Sequence, residues 1–185
     1  MEEGFAFVLY RREVEKYHLE EDAVLDERIY REILEDILIP RARERALYLL
    51  QYQGRTCSQM QQRLREDGYP DEAVERVMAF LEEYHFLDDS SYIENYIQLN
   101  RRKKSRRQIA YELTQKGIDS ELLRQTFDED PIDDEEAARA VLAKKLKGKP
   151  VDTYEEKCRI AAFLQRKGFS GEVVRRVIMA SQTDL

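Results

Sequence analysis

LTQKGI, residues 113–118, has two near copies in the same chain, LREDGY at 64–69 and LQRKGF at 164–169. In each, a leucine is followed three residues later by a charged or amide-bearing turn, then a glycine and a large apolar residue. The glycines, Gly68, Gly117 and Gly168, lie 49 and 51 residues apart, a period at which internal repeats decide the fold. The match continues without gaps as GYPDEAVERVM, GIDSELLRQTF and GFSGEVVRRVI. A glutamate stands four residues after each glycine (Glu72, Glu121, Glu172). Apolar residues follow at the sixth and tenth positions, as Val74/Met78, Leu123/Phe127 and Val174/Ile178. Positions four apart share a helical face, so a helix is expected after every glycine, with Pro70, Asp119 and Ser170 at its N-cap.

Upstream, Ser58-x-x-Gln61, Ser105-x-x-Gln108 and Thr153-x-x-Glu156 fit the capping box, in which hydroxyl and N3 side chain satisfy opposite backbone N–H groups. The helix each one starts carries an apolar stripe (Met60/Leu64, Ile109/Leu113, Ile160/Phe163/Leu164) and ends at the glycine, whose C′ position favours left-handed φ. One more helix precedes each capping box, marked by Ala46/Leu47/Leu50, Tyr92/Ile93/Tyr96/Ile97 and Ala138/Val141/Leu142. Helices of about three turns are marginal alone and bury their stripes on one another. The reading is a mainly α protein of three tandem three-helix repeats, at 41–90, 91–134 and 135–185. FAFVLY (5–10) and RREVEKYHL (11–19) alternate in the manner of two short strands. A small β-hairpin and a helix at about 27–37 are therefore expected over 1–40, with helix throughout as the alternative for the first stretch.

Composition agrees with helices bearing charged faces: 37% of the 185 residues are charged, with 7 Gly, 4 Pro and no Trp. Cys57 and Cys158 form no CxxC pair, so neither a disulfide framework nor a zinc site is expected. The N-terminus lacks a signal-peptide pattern and no segment holds the roughly 20 apolar residues a bilayer span needs, so the cytosol and no membrane are expected. Signatures of phosphate-cradling loops, GxGxxG and GxSxG are absent. His85, followed by Asp88 and Asp89, reads either as a metal or acid–base group or as a polar inter-repeat turn, and the turn is favoured. No enzyme and no cofactor are expected.

The net charge of −7 hides a separation of sign. Residues 1–90 carry 22 acidic and 12 basic side chains, and DEDPIDDEE (128–136) carries seven acids. Residues 91–127 hold 8 basic and 4 acidic, and 137–185 hold 11 and 5. Such a pattern reflects a partner, or a self-contact, that reads charge. Two clusters stand at the inter-helix connections of repeats two and three. The first is RRKKSRR, with Arg101, Arg102, Lys103, Lys104, Arg106 and Arg107. The second is KKLKGK, with Lys144, Lys145, Lys147 and Lys149. Arg166, Lys167, Arg175 and Arg176 continue the basic character. Flexible cations of this kind suit phosphate contact without base reading, and suit an acidic protein groove equally; a solvated basic turn is the plainer reading.

RALYLL, LREDGYPDEAVERVMAFLEEYHFLDD, YIENYI, RQIAYELTQKGI and FLQRKGFSGEVVRRVI together resemble the RecX family of bacterial recombination regulators, over about residues 42–180. The resemblance implies three tandem three-helix repeats in an elongated, curved array. It also implies a non-catalytic protein that binds the RecA recombinase filament and modulates, usually inhibits, strand exchange. In that setting the acidic first half would face basic protein, and the basic clusters would face acidic protein or single-stranded DNA phosphates. A monomer is expected. Two other classes stay open: a helical repeat that binds DNA or RNA directly, and a general protein-interaction scaffold.

Overall fold

The computed structural model describes residues 7–20, 23–147, 151 and 153–180. Eleven α-helices are found among them. They are α1 (Arg11–Lys16), α2 (Glu27–Ile33), α3 (Ile39–Tyr52), α4 (Cys57–Glu66), α5 (Asp71–Glu83), α6 (Asp89–Asn100), α7 (Arg106–Gln115), α8 (Ser120–Glu129), α9 (Asp134–Leu146), α10 (Tyr154–Arg166) and α11 (Gly171–Ala180). The chain divides into two compact units, Met1–Asp88 and Asp89–Leu185.

The three glycines do what their sequence setting asks. Gly68, Gly117 and Gly168 have φ of 87°, 80° and 88°. At each, the N–H of the following residue donates to the leucine carbonyl five residues back: Tyr69 to Leu64 at 3.2 Å, Ile118 to Leu113 at 3.2 Å and Phe169 to Leu164 at 3.2 Å. The glycine N–H donates to the next carbonyl in the helix, at 2.9–3.0 Å. This is one Schellman stop used three times. Both histidines use it too. His18 and His85 hold left-handed φ of 51° and 56°, with Leu19 donating to Val14 and Phe86 to Leu81. His85 is thus the C′ residue of α5, and the described residues contain no group of three or more His, Cys, Asp or Glu that could hold a metal.

Helix starts follow the expected chemistry with two differences. Thr153 and Glu156 form a full capping box, and Asp119 accepts from the N–H groups of Glu121 and Leu122. Ser105 accepts from the Gln108 N–H, but the Gln108 amide turns to Glu112 instead of back to the cap. In the first repeat the box is Thr56-x-x-Gln59, not Ser58-x-x-Gln61. Both fit the motif within TCSQMQ. Thr56, fully buried, takes the cap, and Ser58 falls in the first turn.

The expected N-terminal hairpin is not there. Among the described residues there is no strand, and the second half of the segment is α1; Phe5 and Ala6 lie outside the described residues. Glu13 settles the local competition: its carboxylate accepts the Tyr10 N–H at 2.7 Å and pairs with Arg41 of α3. Tyr17 turns into the core, Leu9 and Leu19 pack against it, and Phe7 rests on Tyr30 with centroids 5.8 Å apart. A two-stranded ribbon has no comparable burial. The helix expected at 27–37 runs on as α2, a π turn over Leu34–Leu38, and α3. Pro40 supplies no N–H to that turn, and the wider π turn accommodates its ring within a continuous helix.

Three separate apolar cores result. One gathers α1 to α5 around Ile33, Leu38, Met60, Leu64 and Leu81. A second joins α6, α7 and α8 through Ile93, Ile97, Ile109, Leu113 and Phe127. The third joins α9, α10 and α11 through Leu142, Leu164, Phe169 and Val174. Within the second unit, polar contacts join two such cores, from Ser105 to the Lys167 carbonyl and from the Arg106 N–H to Asp134.

Candidate functional site

The loop between α6 and α7 carries the run RRKKSRR, and most of it is already engaged. Arg101 pairs with Asp130 at 3.3 Å, Arg102 with Glu136 at 3.1 Å, and Arg106 with Asp128 at 3.8 Å. The Arg106 N–H donates to Asp134 at 2.7 Å, and its guanidinium lies 4.9 Å from the Phe127 ring centre. The acids all belong to DEDPIDDEE. The separation of sign seen along the sequence is therefore in part a self-contact: the acidic run folds back onto the basic one.

Lys104 is used differently. Its ammonium donates to Glu112 and to the Tyr96 hydroxyl, which also donates to Glu112, tying α6 to α7. Burial pushes the Glu112 carboxyl up, but hydrogen bonds from Lys104, Tyr96 and Gln108 outweigh it and hold it below its ordinary range. Burial lowers the Lys104 ammonium, and bonds to Glu112 and Tyr96 more than reverse that. Burial raises the Asp134 carboxyl, an effect the Arg106 N–H only partly offsets. The only uncharged residue of the run, Ser105, is fully buried. Its hydroxyl accepts from the Gln108 N–H at 3.1 Å and donates to the Lys167 carbonyl at 2.7 Å. The cap of α7 is also the pin that joins α7 to the stop of α10.

That pin places cations from both basic clusters side by side. One cleft, of about 660 Å³, is lined by Arg107, Gln108 and Tyr111 of α7 and by Phe163, Arg166 and Lys167. A second, lined by Arg102, Lys103, Lys144, Lys145 and Val141, shares Phe163 and Lys167 with it. No acidic side chain lines either. Lys103, Arg107, Lys144, Arg166 and Lys167 are exposed and make no ion pair among the described residues, and the Lys145 ammonium sits 4.3 Å over the Phe163 ring. The result is a groove of cations with Tyr111, 64% exposed, on its wall. Its chemistry suits a chain of phosphates, with a ring available for stacking.

The other expected residues lie elsewhere. Arg101 and Arg106 line neither cleft. Lys147 ends α9 in left-handed conformation, away from both clefts, and Lys149 lies outside the described residues. On α11, Arg176 pairs with Glu135 at 3.2 Å and Glu172 at 3.6 Å, while Arg175 is exposed. The charge pattern did not reveal Tyr111. Its signal was available, since it stands two residues from both Ile109 and Leu113, on the face opposite their stripe. No helix of the described residues is long and apolar enough to cross a membrane.

Comparison with known proteins assigns the repeats. Family profiles for the first, second and third three-helix domains of RecX match residues 42–81, 88–126 and 133–178, in that order. The protein named Regulatory protein RecX from Clostridium perfringens is 27% identical over 185 residues, covering 96% of this chain and 87% of that one. The protein of that name from Clostridium acetobutylicum is 29% identical over 169 residues, covering 86% and 79%. A crystal structure of regulatory protein RecX superposes with a TM-score of 0.70 at 24% identity, covering 96% of this chain and 91% of that one. At that identity it supports the fold.

Proposed function

The chain belongs to the RecX family, and on that premise we propose that it is a non-catalytic regulator of the RecA recombinase that binds the RecA–DNA filament and inhibits strand exchange. The observation that carries the reading is the cation-lined groove, together with the three RecX domains in their order. Arg107, Arg166, Lys167, Lys103 and Lys144 present flexible positive ends with no carboxylate among them. Contact with a phosphate backbone releases its condensed counterions and needs no base reading, so one surface serves any DNA sequence within a filament. Regulation then comes from occupancy: a protein held on the filament obstructs exchange without making or breaking a bond.

The test titrates the protein against single-stranded DNA coated with RecA and a non-hydrolysed nucleotide, and against the same DNA bare. The expected result is saturable binding to the filament and loss of strand exchange as it saturates. Replacing Arg107, Arg166 and Lys167 by Ala is expected to weaken filament binding at least tenfold and flatten its salt dependence, with Arg175→Ala as a neutral control. Tight binding to bare DNA with none to the filament would overturn the reading in favour of a direct nucleic-acid binder, a class the same groove also suits.

A further inference from the structure

The acidic run 128–136 does more than balance charge, because of where its carboxylates point. Arg102 lines the groove beside Lys103 and Lys144, and its ion-pair partner is Glu136. Arg106 neighbours Arg107, which is in the groove, and pairs with Asp128; Arg101 pairs with Asp130. One guanidinium group that lines the groove, and two that would extend it along the α6–α7 loop, are thus held by the chain's own carboxylates. The holds are loose. The N–O distances are 3.1, 3.3 and 3.8 Å, and the side chains are 33–77% exposed on both partners. Exposed pairs of this kind are weak and exchange with solvent ions. The seven acids of the run also project a negative field beside the groove, which opposes the approach of any polyanion.

We propose that residues 128–136 act as an internal phosphate mimic: Asp128, Asp130 and Glu136 occupy Arg106, Arg101 and Arg102 until the phosphate backbone of a bound nucleic acid takes their place. The inference rests on the groove being a phosphate-binding surface, and adds a regulation of it. The unpaired cations of the groove are open at all times, and Arg102 with the guanidinium extension becomes available only by exchange. Binding is then graded by the strength of the incoming polyanion, so weak or short anions gain only the open part. The segment is suited to this role because its capping duties fall on other residues. Asp133 caps α9 through the Glu135 and Glu136 N–H groups and Asp134 accepts from the Arg106 N–H, which leaves Asp130 and Glu136 to their side-chain partners, while Asp128 reaches Arg106 with one oxygen and Arg124, at 3.2 Å, with the other.

The experiment follows anisotropy of a fluorescein-labelled oligo-dT over a series of salt concentrations, without RecA. Three proteins are compared: wild type, Asp128→Asn/Asp130→Asn/Glu136→Gln, and Arg107→Ala/Arg166→Ala/Lys167→Ala. Far-ultraviolet dichroism checks that each is folded, and Glu136→Gln alone serves if the triple acid variant is not. The acid variant is expected to bind at least tenfold tighter at low salt. Its slope of log affinity against log salt should steepen by about 2, since three freed cations each add roughly 0.7 on single strands. If the arginine–lysine variant loses binding while the acid variant matches wild type in affinity and slope, the mimic is wrong and the groove stands. If the arginine–lysine variant binds as wild type does, the groove reading fails and the mimic with it.

Discussion

Ser105 and Gly168 carry a contact out of proportion to their size. A methyl group on Gly168 would stand 2.6 Å from the Ser105 oxygen, at a position whose φ of +88° already disfavours any side chain. Removing the hydroxyl strands the Gln108 N–H and the Lys167 carbonyl, so Ser105→Ala is expected to cost about 1–3 kcal/mol in chemical denaturation. Gly168→Ala is expected to cost about 2 kcal/mol or more in the wild-type background. With Ser105→Ala already present, the clash is gone and only the left-handed backbone cost of about 1 kcal/mol remains. A double-mutant cycle reads this coupling, and strict additivity would show that the pair does not touch. Sequence made Ser105 legible as a cap and Gly168 as a stop. Their meeting was not legible, because nothing local to either residue says which stop a cap will face across 62 residues.

Helices, their order and their ends were open to reading because capping and Schellman chemistry are local. The errors arose where two local patterns competed. Phe7 and Leu9 alternate as in a strand, and what decided for helix was Glu13 reaching both the Tyr10 N–H and Arg41, a contact 28 residues away. Thr56 displaced Ser58 because burial, unlike the motif, distinguishes them. Tertiary packing also created the Tyr96–Lys104–Glu112 link between α6 and α7, and this element gives the fold a pH dependence. Glu112 has a folded-state pKa below its ordinary 4.5, so its contribution to stability is present above that value and is lost as the pH falls through the folded one. Glu112→Gln is expected to lower stability at neutral pH and to flatten the decline below about pH 4.5. Asp134 shifts upward and acts in the opposite sense, so Asp134→Asn should not flatten that limb. Urea unfolding across pH 3–7 with the two variants separates them; identical acid limbs in wild type and Glu112→Gln would refute the assignment.

At the scale of the whole chain, charge was the hardest feature to interpret from sequence. The counts showed opposite blocks, and only the fold shows that one basic block and the seven-acid run meet within the second unit, leaving a smaller set of cations for a partner. Each unit has its own buried residues, the first around Leu38 and Leu81 and the second around two further cores. Chains of about 90 residues are large enough to fold on such cores. Fragments 1–88 and 89–185 are therefore expected to show helical dichroism and cooperative melting when expressed separately. A fragment that remains unfolded would show that the division is geometric without being energetic.

The polar seam between the last two cores also sets a grafting rule. Polar contacts from Ser105 to Lys167 and from Arg106 to Asp134 cross there, so the compatibility of the final three helices with a new host depends on a few positions. A chimaera joining residues 89–134 to the corresponding helices of a distant relative keeps Ser105, Asp128 and Asp134, and would need from the donor a glycine at the stop that faces Ser105 and a carboxylate placed to receive Arg102. Recombination between homologous genes, natural or in the laboratory, would be tolerated at that boundary to the extent that these positions travel together.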